Sequence, residues 1–150
     1  MLFRSAAAGQ ALDDSLAVGT EADADLVFYP GAVPLRALVL TRNDAIEGRP
    51  PAGSTIAGLL AGYAAGLAGD PWLDSWPAVL EVTPTREAGS PVPAVSDAAG
   101  DALPLHPASG DCWPLFALSG GRPVTVAGEW TPRGLWPLTA WDEGGRVVLL

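Results

Sequence analysis

The chain has 150 residues, a length typical of one domain, and its 49% hydrophobic content with a mean hydropathy of +0.25 excludes an intrinsically disordered acidic chain. Its eight cations are all arginines, and 17 carboxylates outnumber them to give a formal net charge of -9. Because nucleic acids and anionic membrane surfaces attract proteins mainly through clustered cations, neither is expected as a partner of this chain alone.

Two β-favouring runs come first along the chain. Residues 25–29 (DLVFY) stop at the turn signal Pro30-Gly31, and residues 35–40 (LRALVL) follow and end at the polar stretch 42–44. Two such runs separated by a short turn predict a two-stranded antiparallel unit.

One main helix is predicted over about 54–68. Ser54 or Thr55 suits its N-cap, whereas Gly69 and Pro71 end it. Its large apolar residues recur at helical spacing along one narrow stripe, which consists of Ile56, Leu59, Leu60, Tyr63 and Leu67.

The same stretch carries three glycines spaced four apart, namely Gly58, Gly62 and Gly66. This spacing resembles a transmembrane packing motif, but a membrane span is apolar on every side over about 20 residues. The narrow stripe therefore predicts a helix packed on a protein core, with glycines that let another element approach closely.

A second short helix is predicted directly afterwards, with Asp70 as N-cap and Pro71 in the first helical position. It would turn Trp72, Leu73 and Trp76 inward. Pro77 then ends this helix, and a strand is predicted over 78–82.

The second half of the chain is predicted to be rich in strands, after a Pro/Gly-rich internal loop at 84–93. A hairpin is expected over 95–105, and Asp111 is expected to cap a one-turn helix that Gly120-Gly121 ends. Strands follow at 124–130, 135–141 and 146–150, of which the last is predicted to be buried. Pro137 lacks a backbone N–H, so its strand should lie at an edge or contain a bulge there.

These elements predict an α+β fold of short antiparallel strands and hairpins, with one main helix and short helical turns, in a single domain spanning 1–150. Cys112 is the lone cysteine, so no internal disulfide forms. The lack of a disulfide, together with opening residues that do not resemble a secretory signal, favours a cytoplasmic protein.

The sequence offers little reactive chemistry. A zinc site needs about four converging ligands, and His106 with Cys112 is the whole supply of imidazole and thiol. Asp101 and Asp111 could supply two further ligands, but nothing in the sequence fixes their geometry relative to His106 and Cys112. We therefore predict no metal ligands, no cofactor and no catalytic residues in this chain.

Six tryptophans are the main anomaly of the composition. We expect Trp72, Trp76 and Trp113 to fill the core, since indoles bury large areas. The other three frame one hairpin with an arginine at its turn, and Trp and Arg are frequent interface anchors. The predicted partner-binding residues are thus Trp130, Arg133, Trp136 and Trp141. The alternative is a small carbohydrate-binding or hydrolytic domain with a Trp platform beside Glu129 and Asp142.

Four segments of the sequence are distinctive when taken together. They begin at Asp23, Asp70, Asp97 and Cys112, and they read DADLVFYPGAVPLRALVL, DPWLDSWPAVLEV, DAAGDALPL and CWPLFALSGGRPVTVAGEW, the last continuing to GLWPLTAW. Together they resemble the carboxyl-terminal region of actinobacterial SWIM zinc finger family proteins. The family's zinc motif, CxCx(n)CxH, lies upstream and is absent from this chain, so no zinc ligand is carried onto any residue here. The resemblance implies a non-catalytic accessory module that binds a protein or a missing amino-terminal region.

Overall fold

The structure is a computed structural model that describes residues 20–47, 50–86 and 92–150. The chain divides into two compact units, Met1–Arg49 and Pro50–Leu150. The described residues contain two helices and eight strands in two antiparallel sheets, which confirms the α+β prediction. The prediction of a single domain stays a prediction.

The first unit contains a two-stranded hairpin. Strand β1, Thr20–Phe28, pairs antiparallel with strand β2, Ala37–Glu47, so the predicted pair is confirmed. The backbone N–H of Tyr29 donates to the carbonyl of Arg36 at 2.9 Å and closes the loop. Strand β2 continues past 42–44, where the sequence predicted its end, and its pairing with β1 shifts register at two places.

The main helix of the second unit, α1, spans Ile56–Gly69 and confirms the predicted element. Thr55 caps its first turn, since the hydroxyl oxygen accepts from the Gly58 N–H at 3.1 Å. The predicted close approach is also found, because a Cβ on Gly66 would lie 2.5 Å from the Trp76 ring. No helix in the described ranges is long and apolar enough to cross a membrane.

The second short helix predicted from Asp70-Pro71 is wrong. The Asp70 carboxylate accepts from the Trp72 N–H at 3.1 Å and forms a single turn. Pro77 disfavours helical backbone at the residue before it, so Trp76 is extended and begins a strand. Trp72 is left 90% exposed, although it was expected in the core.

The second unit is built on a six-stranded antiparallel sheet in the order β5-β4-β3-β6-β7-β8. Its strands are β3 Trp76–Thr85, β4 Ala94–Ser96, β5 Ala102–Pro104, β6 Val124–Thr131, β7 Gly134–Trp141 and β8 Val147–Leu149. The predicted strands and hairpins of the second half are therefore confirmed. The predicted loop at 84–93 begins later than expected, because Pro84 and Thr85 continue β3 beyond the end of its pairing with β6.

This sheet curls into a partly closed barrel. Leu105, directly after β5, forms a parallel bridge with Leu135 of β7, and the His106 N–H donates to the Leu135 carbonyl at 2.7 Å. The barrel interior is filled by aliphatic side chains from alternating strand positions, including Leu80, Val95, Leu105, Val126 and Leu135. Helix α2, Trp113–Ser119, adds the fully buried Leu115 to this core.

Pro137 is accommodated by a β-bulge, as predicted. The register of β6 and β7 shifts between Ala127 and Gly128, and Gly128 then lies opposite Pro137. A Cβ at Gly128 would overlap the carbonyl oxygen of Trp136, so only glycine fits there.

Two predictions about the second half are wrong in detail. Strand β8 is not buried, because it is a three-residue edge strand and Leu149 is 66% exposed. Asp111 does not cap α2, since the cap position is Cys112 in left-handed backbone with φ of 49°. The end of α2 is as predicted, with Gly120 at φ of 52°.

Candidate functional site

The four predicted partner-binding residues do not share one surface. Trp130 lies opposite Leu135 in the hairpin register and packs against the core. Trp141 is only 5% exposed, and its indole N–H has no hydrogen-bond partner. Arg133 is exposed in the turn between β6 and β7. Trp136 alone of the four lines a cleft.

Trp136 is held in place by His106. The two rings are stacked, with centroids 5.2 Å apart and planes 11° apart. His106 is buried, and its Nδ1 accepts from the Ala108 N–H at 3.1 Å. The hydrogen bond and the buried site fix the imidazole, which in turn supports one face of the indole.

The cleft beside Trp136 has a volume of about 380 Å³. Helix α2 and the residues before it form one wall, the short 3-10 helix Pro107–Ser109 a second, and β7 with the last residue the third. The lining residues are Ala108, Ser109, Asp111, Cys112, Trp113, Pro114, Trp136, Pro137 and Leu150. One buried polar atom among them, the Ser109 hydroxyl oxygen, has no hydrogen-bond partner. The cleft is thus mainly apolar, with a carboxylate from Asp111.

Trp113 forms the exposed wall of this cleft and is 67% exposed, so its predicted place in the core is wrong. The physical reason is the phase of α2. Cys112, Leu115 and Ser119 are the buried positions, at spacings of three and four, and Trp113 therefore lies on the outer side of the helix. The aromatic character of Trp113 does not by itself indicate which side of the helix it occupies.

A second hollow of about 180 Å³ is also lined by Trp113, together with Arg86, Asp111 and Phe116. The Arg86 guanidinium carbon lies 6.0 Å from the centroid of the Phe116 ring, and Nη2 of Arg86 lies 3.9 Å from Oδ1 of Asp111. The Trp113 and Phe116 rings meet edge to face at 6.2 Å. Trp113 is therefore an exposed indole that two hollows share.

Cys112 lies at the base of the cleft with unusual backbone and a protected thiol. Its Sγ donates to the Ser109 carbonyl at 3.4 Å. Burial, opposed by this hydrogen bond, raises the pKa of the thiol above its ordinary value of 9.0. The thiol is thus protonated at neutral pH and is a poor nucleophile.

The structure does not unite His106 and Cys112 into a reactive pair or a metal site. The thiol donates to a carbonyl rather than to the imidazole. Within residues 20–47, 50–86 and 92–150 there is no group of three or more His, Cys, Asp or Glu residues that could hold a metal ion.

The two carboxylates of the hydrolytic alternative lie at opposite ends of the β6–β7 hairpin. Glu129 is the cross-strand partner of Trp136, whereas Asp142 follows Trp141. Because Trp141 pairs with Thr125, Asp142 lies about five strand positions from Glu129, which at about 3.4 Å per residue is roughly 17 Å. One oxygen of Asp142 also accepts from the N–H groups of Gly144 and Arg146, which gives it a structural role in a turn.

Comparison with known proteins adds no relative. No protein-family model matches the chain, and neither the curated proteins nor the solved structures contain a match. The resemblance to the SWIM zinc finger family therefore stays a prediction, and the arguments below depend on the geometry of the cleft.

Proposed function

We propose that the chain is a non-catalytic module that binds a protein partner through the cleft between Trp113 and Trp136. The observation that carries this proposal is the exposure of Trp113, 67%, in a wall shared by two hollows. A partner that covered this indole would remove its exposed apolar area from water, and this burial would contribute to binding. Tryptophan and arginine are the residue types that most often dominate binding energy at interfaces, and both occur here.

The binding set that we propose differs from the one predicted from the sequence. Trp136 remains in it because it lines the cleft, and Trp113 joins it. Trp141 has a structural role because it is 5% exposed, and Trp130 packs on the core. Arg133 stays a candidate at the rim of the interface, since its turn is exposed.

The biological setting of this module follows from the resemblance. We propose that it accompanies a SWIM zinc finger, encoded in the same polypeptide or in a neighbouring one, and that it acts in the cytoplasm. Zinc would belong to the upstream motif and to no residue of this chain. Reading the adjacent coding sequence tests this association, because an upstream CxCx(n)CxH motif is expected.

The binding proposal is tested by affinity capture from cells that naturally produce the chain. Wild type and Trp113→Ala are compared with Trp72→Ala as the matched control, since Trp72 is even more exposed but lies outside the cleft. We expect Trp113→Ala to lose a specific partner that Trp72→Ala retains, with all three proteins equally folded by circular dichroism. Equal capture by the wild type and Trp113→Ala would refute the proposal.

A second candidate function is carbohydrate binding, because sugar rings stack on indoles and two indoles line one cleft. Its hydrolytic form lacks a carboxylate pair at the cleft, as Glu129 and Asp142 are far apart. Quenching of tryptophan fluorescence by neutral oligosaccharides, lost in Trp113→Ala, is the result expected for this alternative. No response across a broad set of oligosaccharides would exclude it.

A further inference from the structure

We propose that the cleft between Trp113 and Trp136 receives an arginine side chain from a basic segment of the partner protein. This inference depends on the proposed function and specifies the chemistry of its partner. It is argued from three features of the described residues: the lining of the cleft, the neighbouring hollow, and the sign of the charge.

The lining combines two π-surfaces with one carboxylate. Trp113 and Trp136 are both wall residues, and the Asp111 side chain beside them is 76% exposed. A cation over the face of tryptophan is attracted by the ring quadrupole, and tryptophan is the best ring for this purpose. A planar guanidinium also stacks on aromatic faces and binds carboxylates through several N–H groups, which a purely apolar side chain does not do.

The neighbouring hollow already contains an arginine of the chain itself beside an aromatic ring and a carboxylate. There the guanidinium of Arg86 lies above Phe116 and beside Asp111, and the hollow shares Asp111 and Trp113 with the cleft. The Arg86–Asp111 distance of 3.9 Å is long for a charge-assisted hydrogen bond, which is typically about 2.7–2.9 Å. Because Asp111 also lines the cleft and its side chain is 76% exposed, a second guanidinium can approach it more closely than Arg86 does.

The sign of the charge favours a cation over an anion. The chain carries a formal net charge of -9, and Glu129 lies directly across the strand pair from Trp136. Arg133 lies in the hairpin turn and is not among the residues that line the cleft. An acidic peptide or a phosphate would meet the repulsion of this carboxylate background, whereas a basic segment would be attracted to it.

The test uses the full chain and synthetic peptides, with the six indole N–H signals as reporters in a two-dimensional NMR titration. The probe is a Gly/Ser peptide with several arginines. Its matched control replaces each arginine by citrulline, which keeps the shape and removes the charge. We expect the arginine peptide to shift the indole signals of Trp113 and Trp136 but not that of Trp72, and we expect added salt to weaken binding.

Two variants separate the contributions of the ring and the carboxylate. Trp113→Ala and Asp111→Asn are each expected to weaken binding of the arginine peptide by about twofold to fivefold, as for one exposed cation–π contact or ion pair. Trp72→Ala is expected to leave it unchanged. Equal binding of the citrulline peptide, or indole shifts that survive both variants, would overturn the proposal.

The same reagents distinguish failure of this inference from failure of the proposed function. If Trp113→Ala loses a specific cellular partner but the arginine peptide neither binds nor competes for that partner, the cleft binds protein through other chemistry and the arginine proposal is wrong. If no specific partner depends on Trp113 and the peptide also fails to bind, both proposals are wrong. Binding of free arginine as tightly as the peptide would indicate a small-molecule site and would overturn the partner assignment.

Discussion

Apolar side chains line both the barrel interior and the cleft outside it, but different interactions hold them in place in the two regions. In the interior, Leu80 and Leu135 are completely excluded from water at alternating strand positions. In the cleft, Trp113 is 67% exposed, and its place depends on left-handed backbone at Cys112 and on the phase of a seven-residue helix. Apolar residues thus stabilise this fold in one region, and in the other we propose that they bind a partner. The predictions below test that division.

The largest expected difference lies between one interior leucine and the cleft indole. Leu135→Ala is expected to lower the free energy of unfolding by about 3–5 kcal/mol, because the side chain is fully buried and leaves a cavity. Trp113→Ala is expected to change it by less than about 0.5 kcal/mol, as for an exposed position. Chemical denaturation measures both. A large loss in Trp113→Ala would mean that the cleft is part of the stabilising core.

Trp141 sharpens the comparison because it is buried yet carries an unsatisfied N–H. Trp141→Ala is expected to cost about 3 kcal/mol through lost packing. Trp141→Phe is expected to cost under about 1 kcal/mol, since removing a buried unpaired donor offsets much of the lost contact. Thermal unfolding of both variants measures the difference. Equal losses would show that the indole N–H contributes to stability.

The packing of α1 on Trp76 provides a pair of substitutions on one helix. Gly66→Ala is expected to cost about 1–3 kcal/mol, because the new Cβ would lie 2.5 Å from the Trp76 ring. Gly62→Ala is the matched control. Its Cβ would lie 3.5 Å from the same ring, an ordinary contact, and the better helix propensity of alanine is expected to stabilise the protein by up to about 1 kcal/mol. A stabilising Gly66→Ala would contradict the observed close approach.

A smaller effect on stability is expected from the backbone at Cys112, where glycine should be preferred over alanine. Glycine normally destabilises relative to alanine, but φ of 49° at this position reverses the preference. Cys112→Gly is therefore expected to be more stable than Cys112→Ala by about 1 kcal/mol in denaturant titrations. The opposite order would mean that the residue adopts right-handed backbone in solution.

The smallest expected effect concerns alkaline pH. Burial raises the pKa of the Cys112 thiol in the folded protein above its ordinary value of 9.0. The folded state therefore retains the proton more strongly than the unfolded state, so the stabilisation is complete below pH 9.0 and is lost as pH rises through the folded pKa. Unfolding measured on both sides of pH 9.0 should show a steeper decline for the wild type than for Cys112→Ala. Parallel profiles would contradict this prediction.

The sequence predicted the elements that depend on local patterns. Helix α1 follows from its apolar spacing and from Thr55, and the β6–β7 hairpin follows from two strand-like runs around a turn. The Asp70-Pro71 signal was misread because the same residues suit both a helix start and an isolated turn, and only the extended backbone imposed by Pro77 decides between them.

The candidate site was less predictable because it is assembled by tertiary contacts. Trp136 was identified, yet Trp113 was assigned to the core on its residue type alone. The seven-residue length of α2 gives little periodicity from which to read an exposed side, and left-handed backbone at a cysteine has no local signal of the kind that glycine or asparagine provides. The bridge between Leu105 and Leu135 likewise has no sequence signature.

That bridge is also one of the long-range contacts that the second unit must form as it folds. The β6–β7 hairpin joins neighbouring segments and requires little loop closure, whereas Leu105 and Leu135 meet across about 30 positions of intervening chain. The pairing of β3 with β6 joins residues still farther apart, from 42 positions at Val82–Val124 to 54 at Trp76–Trp130. Substitutions at these long-range pairings should accordingly slow refolding more than equally destabilising changes in α1, because such contacts close large loops.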